Sequence, residues 1–183
     1  MSLQMYVLAL KKTGHILAAV AQPAGGQPDV KALAGSDLPV LVPRANGSTA
    51  TAVTTKVPAE LLEVKALVYD PVVIAHPLSY VVDGSRVAAL PSLGAAAASV
   101  LTATTVTVNA AVGQIPVAVV ITGKDDPDLR RAEEGDVPAT GTQVALVHTI
   151  LPNKPPANLP TGQDYYLLIA EGGRRVRLEK ASL

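Results

Sequence analysis

The feature that most constrains this chain is a stretch in its middle, residues 79–90, where two β-rich runs meet at an Asp-Gly pair. Asp83 and Gly84 tolerate the positive φ angles that a two-residue hairpin turn requires. An Asp-Gly pair between apolar runs is therefore one of the strongest short-range hairpin signals. The stretch predicts a tight antiparallel hairpin.

Similar sequence patterns lie near both ends of the chain. Residues 6–10 are followed by Gly14 and a second apolar run. Residues 166–169 are followed by Gly172, Gly173 and a run in which arginines alternate with aliphatic side chains. We therefore expect three related hairpins, each starting near a tyrosine, with the middle one between two halves of the chain.

Shorter sequence anchors suggest that the two halves are copies of one unit. They form three pairs about 80 residues apart, a spacing typical of an internal repeat: 38–42 with 115–119, 57–59 with 137–139, and 66–68 with 145–147. The sequence therefore predicts two tandem related antiparallel β units, 1–78 and 79–183. Coincidence in a chain rich in Ala, Val, Leu and Pro is the alternative, and one continuous β domain is the corresponding alternative organisation.

The composition favours an aliphatic core of thin sheets. Hydrophobic residues make up 49% of the chain, but aromatic residues make up only 3%, with no Phe or Trp. Residues 105–112 alternate apolar and polar side chains, as a half-buried strand does. We expect a mainly β fold, sandwich-like or barrel-like, with little helix beyond short turns near Asp29, Ser92 and Pro127. Residues 72–75 are expected to form a short strand.

Charge and cysteine content exclude several functional classes. Lys+Arg and Asp+Glu are 15 each, so the chain has no net positive charge to attract nucleic acid or an anionic membrane. No nucleic-acid partner is expected. Without cysteine there are no disulfides, thiolate zinc sites or cysteine nucleophiles. The histidines, His15, His76 and His148, lack the close spacing of preassembled metal ligands. We expect no metal and no cofactor.

Neither a transmembrane segment nor a cleaved signal peptide is expected. The uncharged span 87–123 is interrupted by prolines and glycines, so it contains no uniformly apolar window of about 20 residues. The apolar run 16–21 is shorter than the roughly 7–15 residues of a signal-peptide core. A cytoplasmic location is favoured on this basis, although the sequence does not fix the compartment.

Residues 124–136 form the most charged segment, with nine charged side chains in thirteen residues. We expect it to be a solvated loop with a short helix that Asp126 caps, that has Pro127 at its first position and that Gly135 ends. An EF-hand is disfavoured because a proline and an arginine pair interrupt the acidic pattern. The candidate partner-binding residues in this segment are Asp125, Asp126, Asp128, Arg130 and Arg131.

Two further segments are candidates for partner contact. Arg175 and Arg177 belong to a basic C-terminal stripe and are expected to share one strand face. They fit either protection of a sheet edge or docking of an acidic partner. Residues 152–162 contain four prolines and fit an extended arm or a plain linker.

Three functional hypotheses follow from the sequence. The leading one is a non-enzymatic structural or assembly subunit that self-associates, or joins a larger protein complex, through exposed strands and the span 87–123. The second is a β-rich adaptor that binds another protein through loops 124–136 and 152–162. The third is an enzyme whose site is assembled from distant residues, because no Gly-x-Ser-x-Gly motif or phosphate-binding loop is present.

Overall fold

Antiparallel strands dominate the fold, which confirms the mainly β prediction. The computed structural model describes residues 2–43, 52–91, 98–109, 114–126, 129–138, 141–147 and 158–183. Within these ranges the strands are β1 (Leu3–Leu10), β2 (Ile16–Pro23), β3 (Asp37–Pro43), β4 (Ala52–Pro58), β5 (Leu62–Val68), β6 (Tyr80–Asp83), β7 (Arg86–Ala89), β8 (Val100–Leu101), β9 (Thr105–Asn109), β10 (Pro116–Gly123), β11 (Arg130–Asp136), β12 (Gln143–Val147), β13 (Asp164–Glu171) and β14 (Arg177–Ser182).

Helix is a minor component, as expected. The α-helices of the described residues are α1 (Val30–Ala34) and α2 (Pro71–Ala75), each five residues long. Short 3-10 turns are formed by Ala59–Leu61 and Pro77–Ser79. Across the described ranges, no helix has the length and apolar character needed to cross a membrane.

The strands form several antiparallel sheets. The two largest have the orders β2-β1-β5 and β11-β10-β13-β14, and smaller sheets have the orders β12-β9-β8, β3-β4 and β6-β7. β1 and β10 are each central in their sheet, because each pairs with a hairpin partner on one side and a later strand on the other.

All three predicted hairpins are confirmed as β1-β2, β6-β7 and β13-β14. The middle turn is centred one residue later than the Asp-Gly pair suggested. Asp83 pairs with Arg86, so the two turn residues are Gly84 and Ser85. Gly84 has a φ of 61°, the positive value that primed turns require at their first central position.

The main hydrophobic core contains residues from both halves of the chain. Tyr6 and Leu8 on β1, Val40 on β3, and Val120 on β10 belong to one buried cluster. The other face of β10 packs in a second cluster that includes Val119 and residues of β9, β12 and β13. Apolar side chains on both faces of β10 account for its nearly continuous burial. The division at residues 78/79 stays a prediction.

The internal repeat is not confirmed, because its anchors occupy dissimilar positions. Residues 38–42 lie in β3 of a two-stranded sheet, whereas 115–119 lie largely in β10 at the centre of the four-stranded sheet. Tyr6 is buried in the main cluster, but Tyr80 packs beside a separate small cluster. Over the described residues, the halves do share the arrangement of a central strand with a hairpin partner and a returning strand.

One predicted helix is confirmed, and one predicted strand is wrong. In α1, Asp29 Oδ1 accepts from the Ala32 amide at 2.6 Å, and Gly35 ends the helix with a φ of 69°. Residues 72–75, expected as a strand, lie in α2. Asp70 accepts from the Val72 amide at 2.8 Å and is followed by proline, so capping outweighs the β propensity of the valines.

The expected helix within 124–136 is also wrong over the residues that the structure describes there. Residues 130–136 form β11, paired with β10 from Thr122↔Arg130 to Pro116↔Asp136. This main-chain pairing overrides the local capping signal. The segment is not uniformly solvated either, because Glu133 is 2% exposed. The Ser92 turn and Pro127 lie outside the described residues.

Candidate functional site

The turns and strands of the three hairpins converge on one place, which we call the hairpin junction (Gly14, His15, Val81, Val82, Leu90, Arg174 and Arg175). His15 forms an isolated antiparallel bridge with Val81. The Val82 amide donates to the Gly14 carbonyl oxygen at 2.9 Å. A Cβ at residue 14 would lie 2.8 Å from the Val82 carbonyl oxygen, so the first turn approaches β6 closely because it carries a glycine.

The third hairpin reaches the same place through its turn. His15 Nε2 lies 2.6 Å from the Arg174 carbonyl oxygen. Arg175 donates through Nε to the Leu90 carbonyl oxygen, just beyond the middle hairpin, at 3.0 Å. The junction therefore joins segments that are far apart in the sequence.

His15 is a fully buried neutral imidazole. A carbonyl oxygen can only accept, so Nε2 carries the proton that is donated to Arg174, and Nδ1 holds a lone pair. Nδ1 has no hydrogen-bond partner among the residues that the structure describes. Burial lowers the pKa of His15, and it outweighs the Arg174 backbone, the charge of Glu171 and the Thr13 backbone, which all act in the opposite direction.

A buried ionic network lies at the base of the third hairpin. Glu171 is fully buried, with Oε2 2.7 Å from Arg177 Nη1. Its Oε1 lies 2.8 Å from Arg174 Nε, an ion pair without hydrogen-bond alignment. Arg177 also donates from Nε to Glu179 at 2.8 Å and from Nη2 to the Asn109 carbonyl oxygen at 3.1 Å. Burial acts to lower the pKa of Arg177, but its bonds to Glu171 and Glu179 raise that pKa above its ordinary value.

The two candidate partner-binding arginines of the predicted C-terminal stripe, Arg175 and Arg177, have different surroundings. Arg177 begins β14, whereas Arg175 precedes the strand, so the expected shared strand face does not apply. Arg177 is half-buried and its guanidinium is engaged by internal acceptors. Arg175 is exposed. Their role in partner binding stays a prediction.

The charged candidates of segment 124–136 lie around the turn between β10 and β11. Asp125 and Asp126 are exposed. Arg130 Nη2 pairs with Asp37 Oδ2 at 2.9 Å, which ties β11 to the start of β3. Arg131 is half-buried and donates to the Arg130 carbonyl oxygen at 2.8 Å. Asp128 lies outside the described residues, as do residues 152–157 of the proline-rich segment.

An open cleft of about 430 Å³ adjoins the hairpin junction. It lies between β3, the segment from α2 to β6, and the third hairpin. None of the described residues that line it is acidic. The lining consists of Leu17, residues 39–42, residues 75–79, Arg175 and Val176. Sequence reasoning missed this cleft, because its walls come from segments that are distant in the chain.

The histidines do not assemble a metal site among the described residues. His15 is buried in the junction, His76 is exposed and lines the cleft, and His148 lies outside the described ranges. No group of three His, Asp or Glu side chains within the described part of the chain is placed to hold a metal ion.

Several exposed apolar side chains lie at one end of the sheet β2-β1-β5. Gln4 pairs with Val68, so continuation of the register sets Leu3 opposite Tyr69 on one face of the sheet, whereas Val68 points to the other face. Val72 follows shortly in α2. All four apolar side chains are exposed, Val68 the most at 89%. We call Leu3, Val68, Tyr69 and Val72 the end patch.

Similarity to known proteins does not assign a role to these features. Comparisons with protein-family models, curated proteins and solved structures found no match. Function is therefore argued from the geometry of the junction, the cleft and the end patch.

Proposed function

We propose that this protein is a non-enzymatic structural or assembly subunit that associates with copies of itself through the end patch. The observation that carries the proposal is the exposure of Val68 at the end of edge strand β5, close in the chain or register to exposed Leu3, Tyr69 and Val72. Exposed apolar side chains around a strand end favour association, because burying one Val or Leu side chain contributes about 1.5–3 kcal/mol.

The backbone of β5 supports the same interface. Among the strands that the structure describes, β5 pairs with β1 alone, so its other side is a sheet edge that another strand can approach. Gln27 Nε2 donates to the Val64 carbonyl oxygen at 2.9 Å and so occupies the middle of that edge. An added strand is therefore directed towards the Val68 end. Antiparallel pairing of β5 with its copy generates a two-fold symmetric dimer in which each patch contacts the other.

The test is sedimentation velocity of the native chain and of two lysine variants at micromolar concentrations. Val68→Lys places a charge in the patch and on the edge, so it should dissociate the assembly. Val100→Lys is the matched control, because Val100 is also an exposed strand valine, at 57%, but lies on β8 in another sheet. A native chain that sediments as a monomer throughout this range refutes the proposal, as does equal dissociation by Val100→Lys.

The adaptor hypothesis has one favourable observation, the exposure of Asp125 and Asp126 at the β10–β11 turn. Its support is weaker because Arg130–Asp136 of that segment form β11 and Arg130 pairs with Asp37. Replacing both aspartates by asparagine tests it without deleting a strand. Loss of capture of a partner protein, with an unchanged melting temperature, would favour the adaptor.

A further inference from the structure

We propose that the cleft beside the hairpin junction binds a small amphiphilic carboxylate, an aliphatic monocarboxylate whose chain lies on the apolar wall and whose carboxylate pairs with Arg175. The cleft volume of about 430 Å³ falls in the range of small-molecule sites. The cleft shares no lining residue with the end patch, and binding a small ligand goes beyond the assembly function.

The wall of the cleft suits an aliphatic chain. Leu17, Val40 and Val42 are buried members of the main core, and Leu78 and Val176 pack against them. Because these side chains are held by the core beneath, the wall is preformed. Apolar lining with few polar groups is the usual composition of such sites.

The charges of the cleft select an anion. Arg174 and Arg177 of the same hairpin are paired with Glu171. Arg175 is held differently, by one bond from Nε to the Leu90 carbonyl oxygen. Among the residues that the structure describes, its two Nη groups have no acceptor. A guanidinium fixed through Nε presents these groups to a carboxylate, and no acidic side chain among the described lining residues compensates that charge.

The expected affinities separate the contributions of the chain and the charge. Each methylene added to the ligand should tighten binding about fourfold, so octanoate should bind roughly 15-fold more tightly than hexanoate. Loss of a charge-assisted hydrogen bond at an exposed arginine should weaken binding about tenfold.

Isothermal titration calorimetry with hexanoate, octanoate and octylammonium tests the proposal. Octanoate should bind saturably with one site per chain, and octylammonium should not bind. Arg175→Gln should weaken octanoate about tenfold, whereas Arg86→Gln, an exposed arginine at the start of β7, should have no effect. Ala75→Phe, which adds a ring at an exposed lining position, should block binding without removing a core contact.

Several outcomes would overturn the proposal. Absence of saturable octanoate binding would show that the cleft is not a binding site. Equal binding of octylammonium would show that the positive charge does not select the ligand. If Arg175→Gln has the melting temperature of the native chain and binds octanoate with unchanged affinity, Arg175 does not pair with the carboxylate. Val68→Lys should keep octanoate binding, which distinguishes failure of the cleft from failure of the assembly interface.

Discussion

The buried imidazole of His15 should make the stability of this fold depend on pH in a specific direction. Protonation would place a charge on a fully buried ring, and this desolvation outweighs the hydrogen bonding that the Arg174 and Thr13 backbone offers to the charged form. The nearby carboxylate of Glu171 compensates little, because it is already paired with Arg174 and Arg177. The folded state therefore binds the proton more weakly than the unfolded chain, in agreement with the lowered pKa of His15.

The sign and size of the effect follow from proton linkage. The pKa of His15 is lowered in the folded state from about 6.5 in the unfolded chain, so the unfolded state takes up the proton first as the pH falls. Stability is full above that value and falls as the pH drops from it towards the lower pKa of the folded state, below which both states are protonated and the loss stops. Between pH 6.5 and pH 5.5 the loss from this group is at most about 1 kcal/mol.

Urea unfolding followed by circular dichroism at several pH values measures this slope. His15→Gln keeps a side-chain N–H for the Arg174 carbonyl oxygen but does not titrate in this range, so its unfolding free energy should lose this component. His76→Gln is the matched control, because His76 is exposed, and it should keep the native slope. If His15→Gln and the native chain show the same dependence between pH 6.5 and pH 5.5, the reasoning about the buried imidazole is refuted.

Two further substitutions test the junction by urea unfolding. Gly14→Ala should cost about 1–3 kcal/mol because the new Cβ meets the Val82 carbonyl oxygen, whereas Gly84→Ala, also at positive φ but in open space, should cost about 1 kcal/mol. Equal losses would contradict the close approach. Glu171→Gln should cost about 3–5 kcal/mol because it leaves two arginines without their buried counter-charge. Glu63→Gln, which breaks an exposed pair with a lysine, should cost less than about 1 kcal/mol, and a similar loss in both would contradict the network.

Local sequence signals predicted the elements whose stability is local. The hairpin at Gly84 and the helix after Asp29 depend on turn and cap chemistry that can be read within a few residues. The two Asp-Pro pairs show the limit of such signals. Asp70 and Pro71 start α2, where the Asp70 side chain caps the helix. At Asp126 it is the backbone carbonyl oxygen that accepts from the Leu129 amide, in the turn before β11. Pairing with β10 decides the second case, and nothing within residues 126–129 specifies that partner.

The hairpin junction illustrates why the candidate site was harder to predict than the strands. The sequence identified all three hairpins, and their similarity suggested repetition along the chain. In the structure the same hairpins meet, through contacts as distant as His15 with Arg174 and Arg175 with Leu90. This long-range arrangement also divides the arginines of the third hairpin, because the flanking ones neutralise Glu171 and the middle one lines the cleft. Period-two alternation could not predict that division, since Arg175 lies in the turn before β14 begins. The functional distinction between neighbouring arginines is thus a consequence of topology, and it is the distinction that Arg175→Gln tests most directly.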